Sequence, residues 1–455
     1  MNKSCDTPFI SVEAVNASER IPSEVDLVVI GGGIVGVCTA FFAAKEGIRV
    51  CICEKGEIAA EQSSRNWGWT RQMGRDPVEM PLSIKSLNIW RNFKEDFDID
   101  VGFRQTGITY LCRTDREIEE AEKWAKTGEQ YQLAQKKFSN QDIKSLFPGI
   151  SSGIRFALNT KSDGRAEPTL AVPAIAKAAK KLGVSILTGH AVRGIETSGG
   201  RISSVITEVG RIKCTSTVLA SGAWTRLFLG NIGINFPQLK ILGTAARAAY
   251  VNGAPDMPVG SGDFAFRKRL DGGFTIALRN TNIAPIVPDS FRLFPDFLPT
   301  FIKSWRELKL RIGHQFLQEL QIPRSWPLDK RSPFEHIRKL DPKPHHKYNQ
   351  TALNNLKRAF PVFEHSKITH SWAGLIDVTP DGIPAIGPIP SIPGLFISSG
   401  FSGHGFGIGP GAGKLTAQLV TGSKPLVDPK PFRFDRFSKT NRAGFTQKVT
   451  ATGKD

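Results

Sequence analysis

The stretch that decides the fold is Gly31-Gly32-Gly33-Ile34-Val35-Gly36, which follows directly on the apolar run Val25 to Ile30. A short apolar run of this kind is typical of a strand buried on both faces of a parallel sheet. Ile34 to Glu46 predicts a helix with Gly47 at its C-cap, and Val50 to Cys53 predicts a second strand. The pattern therefore predicts one βαβ unit.

The glycines of this G-x-G-x-x-G spacing have separate tasks. Gly31 allows the tight turn, Gly33 lets the backbone approach a pyrophosphate, and Gly36 lets helix and strand pack closely. The diphosphate would lie at the positive N-terminus of the helix. Glu54 ends the second strand, 23 residues after Gly31, where its carboxylate can bind both ribose hydroxyls and would repel the 2′-phosphate of NADP. The unit predicts a dinucleotide site and leaves FAD and NAD open.

The composition is that of a globular enzyme of more than one domain, with 455 residues, 40% of them hydrophobic and 22% charged. Residues 1–24 lack the features of a secretory signal, and no apolar run reaches the length of a membrane span. Six cysteines in so long a chain do not make a disulfide framework. These features predict a cytoplasmic protein.

The charge is unusual, because 60 Lys and Arg against 42 Asp and Glu give a formal net charge of +18. Such a field favours acidic substrates, anionic membrane surfaces or nucleic acid. The basic residues are scattered, so nucleic acid is not the expected partner, and peripheral attachment to the inner face of a membrane stays open. The eight histidines show no zinc-ligand spacing, so no metal is expected.

The C-terminal segment carries the patterns W-x-G (Trp372 to Gly374), T-P-D (Thr379 to Asp381) and G-F-x-G-H-G (Gly400 to Gly405). Here the chain resembles the D-amino acid oxidase superfamily of flavoenzymes, which includes glycine oxidase, sarcosine oxidase, D-amino acid dehydrogenase and gamma-glutamylputrescine oxidase. Further matches occur in the family order at Ser63 to Gly68, at Asp163-Gly164 with Pro168, and at Val218 to Trp224.

The resemblance implies FAD, held noncovalently. In some relatives the flavin is attached through a cysteine just before T-P-D or a histidine in the loop after the second strand, and here those places hold Gly374 and its neighbours, and Arg65 and Asn66. Backbone amides of the last glycine loop would stabilise negative charge on the reduced ring. The expected FAD-contacting residues are Gly31, Gly33, Ile34, Val35, Gly36, Glu54, Lys55, Ser63, Ser64, Asn66, Trp67, Gly68, Val192, Gly222, Trp224, Gly400, Gly403, His404, Gly405 and Phe406.

The implied reaction is hydride transfer from the carbon next to an amine nitrogen to flavin N5, followed by hydrolysis of the imine. The substrate would be an amine or amino acid, with oxygen, a quinone or an electron carrier as acceptor. His404 and Arg279 are the candidate catalytic residues. The strand Phe274 to Ala277 holds no lysine where sarcosine oxidase has one that promotes reaction with oxygen, which favours a dehydrogenase.

One departure from the family concerns the substrate carboxylate. Glycine oxidase and the D-amino acid dehydrogenases have an arginine clamp where Ile376 stands here, and isoleucine cannot bind a carboxylate at two points. The form of this segment resembles the gamma-glutamylputrescine oxidase branch. A free D-amino acid is therefore a less expected substrate, unless Arg279, Arg267 or Arg71 replaces the clamp.

The predicted fold is α/β, with a Rossmann-like FAD-binding domain interleaved with a mixed β-sheet substrate domain. An amphipathic helix is expected from Pro299 to Leu320. The predicted boundaries are a loose N-terminal extension (1–24), FAD-binding segments (25–104, 155–240 and 369–425), substrate-domain segments (105–154 and 241–368) and a flexible tail (426–455).

Two alternative functions stay open. One is a flavoenzyme that oxidises a secondary amine on a tRNA wobble uridine, which the net charge of +18 suits. The other is an FAD-holding subunit of a heteromeric amine dehydrogenase that is inactive alone.

Overall fold

The computed structural model describes residues 11–304 and 308–438. Its strands are β1 Leu27–Ile30, β2 Val50–Glu54, β3 Trp69–Thr70, β4 Ile108–Cys112, β5 Gln135–Ser139, β6 Phe156–Thr160, β7 Gly164–Arg165, β8 Ser185–Thr188, β9 Val192–Ser198, β10 Arg201–Thr207, β11 Arg211–Lys213, β12 Ser216–Leu219, β13 Leu239–Ala248, β14 Val259–Gly260, β15 Ala265–Lys268, β16 Phe274–Ala277, β17 Asn282–Pro285, β18 Leu308–Arg311, β19 Ile368–Val378, β20 Ala385–Pro388 and β21 Leu395–Ser399.

The α-helices are α1 Ile34–Lys45, α2 Gln62–Arg65, α3 Met80–Phe97, α4 Asp115–Gln130, α5 Asn140–Leu146, α6 Pro168–Lys181, α7 Thr225–Asn231, α8 Pro288–Arg292, α9 Phe294–Ser304, α10 His314–Gln321, α11 Pro333–His336, α12 His346–Ala359 and α13 Gly405–Thr421. Short 3₁₀ turns lie at Gly222–Trp224, Pro361–Phe363, Lys430–Phe432 and Phe434–Phe437.

A six-stranded sheet in the order β20-β21-β12-β1-β2-β8 forms the first layer, and it is parallel except for β20. On one face α1 packs between α13 and α6. Residues 34–43 of α1 are all buried. This agrees with the sequence of the helix, which is apolar around its whole circumference. The other face packs against the antiparallel sheet β11-β10-β9 in a second apolar cluster.

A mixed ten-stranded sheet forms the second unit, in the order β18-β17-β13-β16-β15-β14-β4-β6-β5, with β19 also paired to β13. α12 packs on β16 and β13, and α4 packs on β4 and β6. A phenylalanine-rich core that includes Phe266, Phe274 and Phe363 lies under α12.

The predicted helix from Pro299 to Leu320 is wrong. The chain forms α9, then β18, then α10, and residues 305–307, including Trp305, lie outside the described residues. β18 pairs in parallel with β17, and these backbone hydrogen bonds replace helical ones. The helical spacing of the apolar residues does not reveal β18, because this strand depends on pairing with another strand in the folded protein.

The two ends are more ordered than expected wherever they are described. Val12 and Val15 pack on the core of the first layer, and the amide of Ser18 donates to the carbonyl of Ile186 at 2.7 Å. In the tail, Phe432 is buried. Residues 1–10 and 439–455 lie outside the described residues.

Two of the predicted domain segments contain strands of the other unit. β6 pairs with β4 and β5, although 155–240 was assigned to the FAD-binding domain. β19 pairs along almost its whole length with β13, although 369–425 was assigned there too. The position of a strand in a sheet depends on its pairing partners, and local sequence does not specify them.

Candidate functional site

A long cavity runs from the N-terminus of α1 to the N-terminus of α13, between the two units. Gly31, Gly33 and Glu54 line one end. Leu375 and Ile376 of β19, with Gly403, Gly405 and Phe406, line the other. The cavity is therefore long and connects the carboxyl edge of the six-stranded sheet to the mixed sheet.

The turn before α1 is tight because Gly31 has a φ of +115°, and a Cβ there would lie 2.5 Å from the carbonyl oxygen of Ala220. The amide of Ile34 donates to Ser63 Oγ at 2.9 Å. A helix leaves its first amides without intrahelical partners, and α1 has no capping side chain at Gly33. This end of the cavity is suited to an anion.

Glu54 lies at the end of β2 and accepts amide hydrogen bonds from Gly32 and Gly56, both at 2.7 Å. Burial raises the pKa of Glu54, and the two amide hydrogen bonds oppose that shift. Each carboxylate oxygen keeps a second lone pair, so Glu54 can still accept hydroxyl hydrogens from a ligand in the cavity.

The opposite end is formed by α13, which has no side-chain cap at His404. The loop before α13 is fixed by Asp377, whose Oδ2 accepts the amide of Gly400 at 2.7 Å and the side-chain amide of Gln238 at 3.3 Å. Gly403 has a φ of +84°, which glycine adopts at no steric cost. Gly403 and Gly405 therefore form part of the cavity wall at points where no side chain stands in front of the backbone.

Glu61 joins three parts of the cavity wall and was missed by the sequence reasoning. It accepts Trp224 Nε1 at 3.1 Å, pairs with Lys55 Nζ at 2.7 Å and accepts the amide of Leu340 at 2.9 Å. Lys55 also donates to the carbonyls of Ile337 and Arg338. No local pattern could reveal this role, because the partners are 163 and 279 residues from Glu61.

His404 lies beside α3, outside the cavity lining. Its Nδ1 is 3.1 Å from Oε2 of Glu79, and Arg75 is close enough to repel a charged imidazole. Burial, with that repulsion, lowers the pKa of His404 to about 4. Burial opposes ionisation of Glu79, but its contact with His404 and the charges of Arg75 and Arg71 lower its pKa. The arrangement is a neutral imidazole donating to an ionised carboxylate, which suits a structural contact.

The three arginines proposed to replace the missing clamp have different surroundings. Arg267 is buried in a 3.0 Å ion pair with Glu167, so it is already neutralised. Arg71 donates to the carbonyl of Met73. The guanidinium of Arg279 lies 4.4 Å from the ring centroid of Tyr110. Arg71 and Arg279 therefore lie near one tyrosine, and Arg267 belongs to a structural pair.

The structure brings most of the expected cofactor residues to the cavity. Those that line it are Gly31, Gly33, Ile34, Val35, Glu54, Lys55, Ser63, Asn66, Val192, Gly222, Trp224, Gly403, Gly405 and Phe406. Those that do not are Gly36, Ser64, Trp67, Gly68, Gly400 and His404.

Residues 11–304 and 308–438 contain no group of three or more His, Cys, Asp and Glu side chains placed to hold a metal ion. None of the helices in those ranges is both long and apolar enough to cross a bilayer.

Comparisons with known proteins agree over most of the chain. Residues 26–419 match the family of FAD-dependent oxidoreductases called DAO. L-Amino acid deaminase from Proteus myxofaciens, solved in complex with anthranilate, is 35% identical, with a TM-score of 0.90 over 94% of this chain and 97% of that one. The L-amino acid deaminase from Proteus vulgaris is 30% identical, with a TM-score of 0.89 over 93% of this chain and 100% of that one.

Curated relatives are more distant in sequence. Glycine oxidase from Pseudomonas putida is 26% identical over 89% of this chain and 97% of its own length. 4-Methylaminobutanoate oxidase from Paenarthrobacter nicotinovorans is 24% identical over 94% of this chain, which spans only 47% of that protein.

Proposed function

Because the chain belongs to the DAO family of FAD-dependent oxidoreductases, we propose that it oxidises the bond between the α-carbon and the nitrogen of an amino acid. The general reaction of the chain is the FAD-dependent oxidation of a carbon–nitrogen bond in an amine or amino acid. The proposal narrows the substrate to a compound with a carboxylate. It is supported most directly by the L-amino acid deaminase that is 35% identical over 97% of its length.

The cavity residues fit FAD. The positive N-terminus of α1 suits the diphosphate, and Glu54 suits the ribose of the adenosine half. Gln62 also lines the cavity, and its Oε1 atom is buried there without a hydrogen-bond partner. A buried acceptor of this kind calls for a donor from a ligand or water.

The residues around the start of α13 have two tasks in the reaction. When bound, FAD accepts a hydride from the carbon next to the substrate nitrogen. The N-terminus of α13 would stabilise negative charge on the bound cofactor, because it has no side-chain cap and its dipole is positive there. Leu375, Ile376 and Phe406 give this end an apolar wall that excludes water.

The experiment that tests the proposal is an anaerobic titration of the FAD-loaded protein with L- and D-amino acids, N-methyl amino acids and polyamine derivatives. Loss of the visible flavin absorption with amino acids is the expected result. Reduction only by amines without a carboxylate would overturn the choice of substrate. No reduction by any of these compounds would overturn the reaction itself.

For the electron acceptor, the proposal is a quinone or an electron carrier rather than oxygen. β16, Phe274–Ala277, is wholly buried and holds no lysine. The reduced protein should therefore be reoxidised faster by a soluble quinone than by air, and stopped-flow measurement of both rates tests this.

Peripheral attachment to an anionic membrane is part of the same proposal. The segment α8 to α10 has an unusual concentration of exposed apolar side chains, which we call the apolar patch: Phe291, Phe294, Leu298, Ile302, Leu310, Ile312, Leu317 and Leu320. Ile312 is 80% exposed and Phe291 is 67% exposed. A concentration of exposed apolar side chains in one segment often marks an interaction surface.

Charge favours an anionic bilayer as the occupant of the apolar patch. Lys309 and Arg311 are exposed and alternate with Leu310 and Ile312. The nearby acid Glu319 is neutralised by a 2.8 Å pair with Lys240. Amphipathic surfaces of this kind bind the boundary between headgroups and acyl chains.

Vesicle sedimentation tests the attachment. The protein should bind phosphatidylcholine vesicles that contain phosphatidylglycerol and not vesicles of phosphatidylcholine alone. Replacing both Phe291 and Ile312 by serine should weaken binding by about tenfold or more, because two apolar side chains no longer enter the bilayer. Val209→Ser is the control, since Val209 is 56% exposed and lies far along the chain from the patch. Equal binding by the double variant and the control would contradict the attachment surface.

A second candidate function is an FAD-holding subunit that needs a partner for activity. Sarcosine oxidase subunit beta from Rhodobacter capsulatus is 23% identical over 90% of this chain and 88% of its own length. Purified FAD-loaded chain that no amine reduces, but that becomes reducible on addition of a co-expressed partner, would favour this function over an independent enzyme.

A further inference from the structure

The cavity wall carries more acids than bases, although the chain as a whole has a net charge of +18. The charged side chains that line it are Lys55, Glu54, Glu57, Glu61 and Asp377. The three N–H donors of Lys55 are all used, because its ammonium pairs with Glu61 at 2.7 Å and donates to two backbone carbonyls at 2.9 Å. Within the described residues, the one lysine of the cavity wall is therefore already neutralised.

Asp377 stands apart from the other three acids of the cavity wall. Glu54, Glu57 and Glu61 come from the end of β2 and the loop that follows it. Asp377 comes from β19, and it is the one charged side chain among the described lining residues between positions 375 and 406. It is therefore the charged side chain that a ligand meets at the α13 end of the cavity.

The contacts of Asp377 are those of an ionised carboxylate. It is 7% exposed, and its Oδ2 accepts the amide of Gly400 at 2.7 Å and the side-chain amide of Gln238 at 3.3 Å. Burial raises the pKa of Asp377, and hydrogen bonds from the amides of Gly400 and Phe401 oppose that shift. Donors of this kind stabilise the charged form. They are themselves uncharged, so they do not cancel the negative charge.

The loop before α13 holds Asp377 in its place in the cavity wall. The amide of Ser402 donates to the carbonyl of Asp377 at 2.8 Å, and a Cβ on Gly403 would lie 3.7 Å from Cγ2 of Ile376. The diphosphate and the adenosine ribose suit the opposite end, at α1 and Glu54. The long cavity therefore leaves the α13 end, where Asp377 lies, for the flavin half of the cofactor.

From these observations we infer that Asp377 lowers the reduction potential of the bound flavin. Hydride transfer adds two electrons and one proton, so it adds one negative charge to the cofactor. A fixed carboxylate in the same cavity wall opposes that charge, because like charges repel more strongly away from bulk water. The reduced cofactor then passes its electrons more readily to an acceptor such as a quinone. The inference rests on the proposed function only in requiring bound FAD, and it does not depend on which amine or amino acid is the substrate.

The experiment measures the midpoint potential rather than turnover. FAD-loaded protein is reduced slowly without oxygen at neutral pH, together with reference dyes whose colour reports the potential. Asp377→Asn keeps the shape of the side chain and an oxygen that can accept the amide of Gly400, but it removes the charge. Its potential should rise by about 30 mV or more, which is a tenfold or larger change in the equilibrium constant of a two-electron reduction.

Three further variants separate charge from structure. Asp377→Glu keeps the charge and changes the shape, so the same equilibrium constant should change by less than about twofold. Asp377→Ser removes the charge with a smaller side chain; it should also raise the potential, and it keeps the test valid should Asp377→Asn fail to fold. Asp96→Asn, at an exposed position of α3, is the matched control and should leave the potential unchanged.

The inference is overturned by an unchanged or lower potential in Asp377→Asn and Asp377→Ser. A larger shift in Asp377→Glu than in Asp377→Asn also overturns it, because that pattern follows from a change of shape. If the potential rises as expected but no amine or amino acid reduces the flavin, the inference stands and the proposed function fails. If the wild-type protein takes up no FAD, both fail.

Discussion

The imidazole of His404 and the carboxylate of Glu79 lie 3.1 Å apart, between Nδ1 and Oε2, and join the start of α13 to the start of α3. Glu79 has no exposed surface. The contact therefore fixes the helix whose N-terminus lines the cavity.

This pair predicts a loss of stability on mild acidification. The pKa of His404 falls from 6.5 to about 4 on folding, so the neutral form stabilises the fold above pH 6.5, and this contribution is lost as the pH falls toward 4. Between pH 7 and 5 the unfolded chain binds more protons, and the free energy of unfolding should drop by about 1 to 2 kcal/mol from this group. In His404→Gln the amide can still donate to Glu79 but cannot titrate. Urea denaturation at both pH values checks this, and an identical pH dependence in the two proteins would contradict it.

Glu54 should determine affinity for FAD. Glu54→Gln keeps the shape of the side chain, but it places an NH₂ group where an oxygen now accepts the amide of Gly32 or Gly56. FAD binding should weaken by roughly 10- to 100-fold, since a charge-assisted hydrogen bond to a hydroxyl is lost as well. Quenching of free FAD fluorescence gives the dissociation constant. Glu95→Gln, on the exposed face of α3, serves as the control and should bind FAD as the wild type does.

Arg267 should be required for stability rather than for substrate. It is 1% exposed, and its pair with Glu167 at 3.0 Å is supported by a hydrogen bond from Nε to the carbonyl of Trp67. Arg267→Met leaves the buried carboxylate of Glu167 with only Arg269, at 3.7 Å, as a cationic partner, and it should cost about 3 kcal/mol of unfolding free energy. Adding Glu167→Gln should recover part of that loss. Chemical denaturation measures both, and a loss of substrate affinity at unchanged stability would contradict the structural role.

The flavin should be released without breaking a covalent bond. Gly374 lies on β19, and the side chain of Asn66 donates to the carbonyl of Ser63, so neither place offers a nucleophile. Acid precipitation of the FAD-loaded protein should leave all of the yellow colour in the supernatant. Colour that remains in the washed pellet would show a covalent bond.

Local patterns were enough to predict the parts of the fold that local chemistry decides. The βαβ unit from Val25 to Cys53 appears as β1, α1 and β2, with register Leu27 to Val50. The predicted family and the predicted α/β fold, with a Rossmann-like FAD domain and a mixed-sheet substrate domain, are confirmed by the family match and by the structure with a TM-score of 0.90. Glycine turns and apolar strands have short-range causes, so one sequence suffices for them.

The remaining features depend on contacts between distant residues. In the sequence, Glu61 is one more charged residue in a loop. Only folding brings it into contact with Trp224 and Leu340. Arg75 was not singled out in the sequence, because only the fold shows that it is buried and close enough to His404 to affect its pKa. The apolar spacing from Pro299 to Leu320 fits a helix, and the pairing of β18 with β17 cannot be read from that spacing.

Strand β19 belongs to the mixed sheet through β13, yet its residues Leu375 and Ile376 lie in the wall of the cofactor cavity, and its Asp377 holds the amide of Gly400. One continuous piece of backbone thus spans both halves of the enzyme. A hinge that swings the two halves apart would have to break the hydrogen bond between Asp377 and Gly400. Admission of substrate therefore falls to loop and side-chain movements.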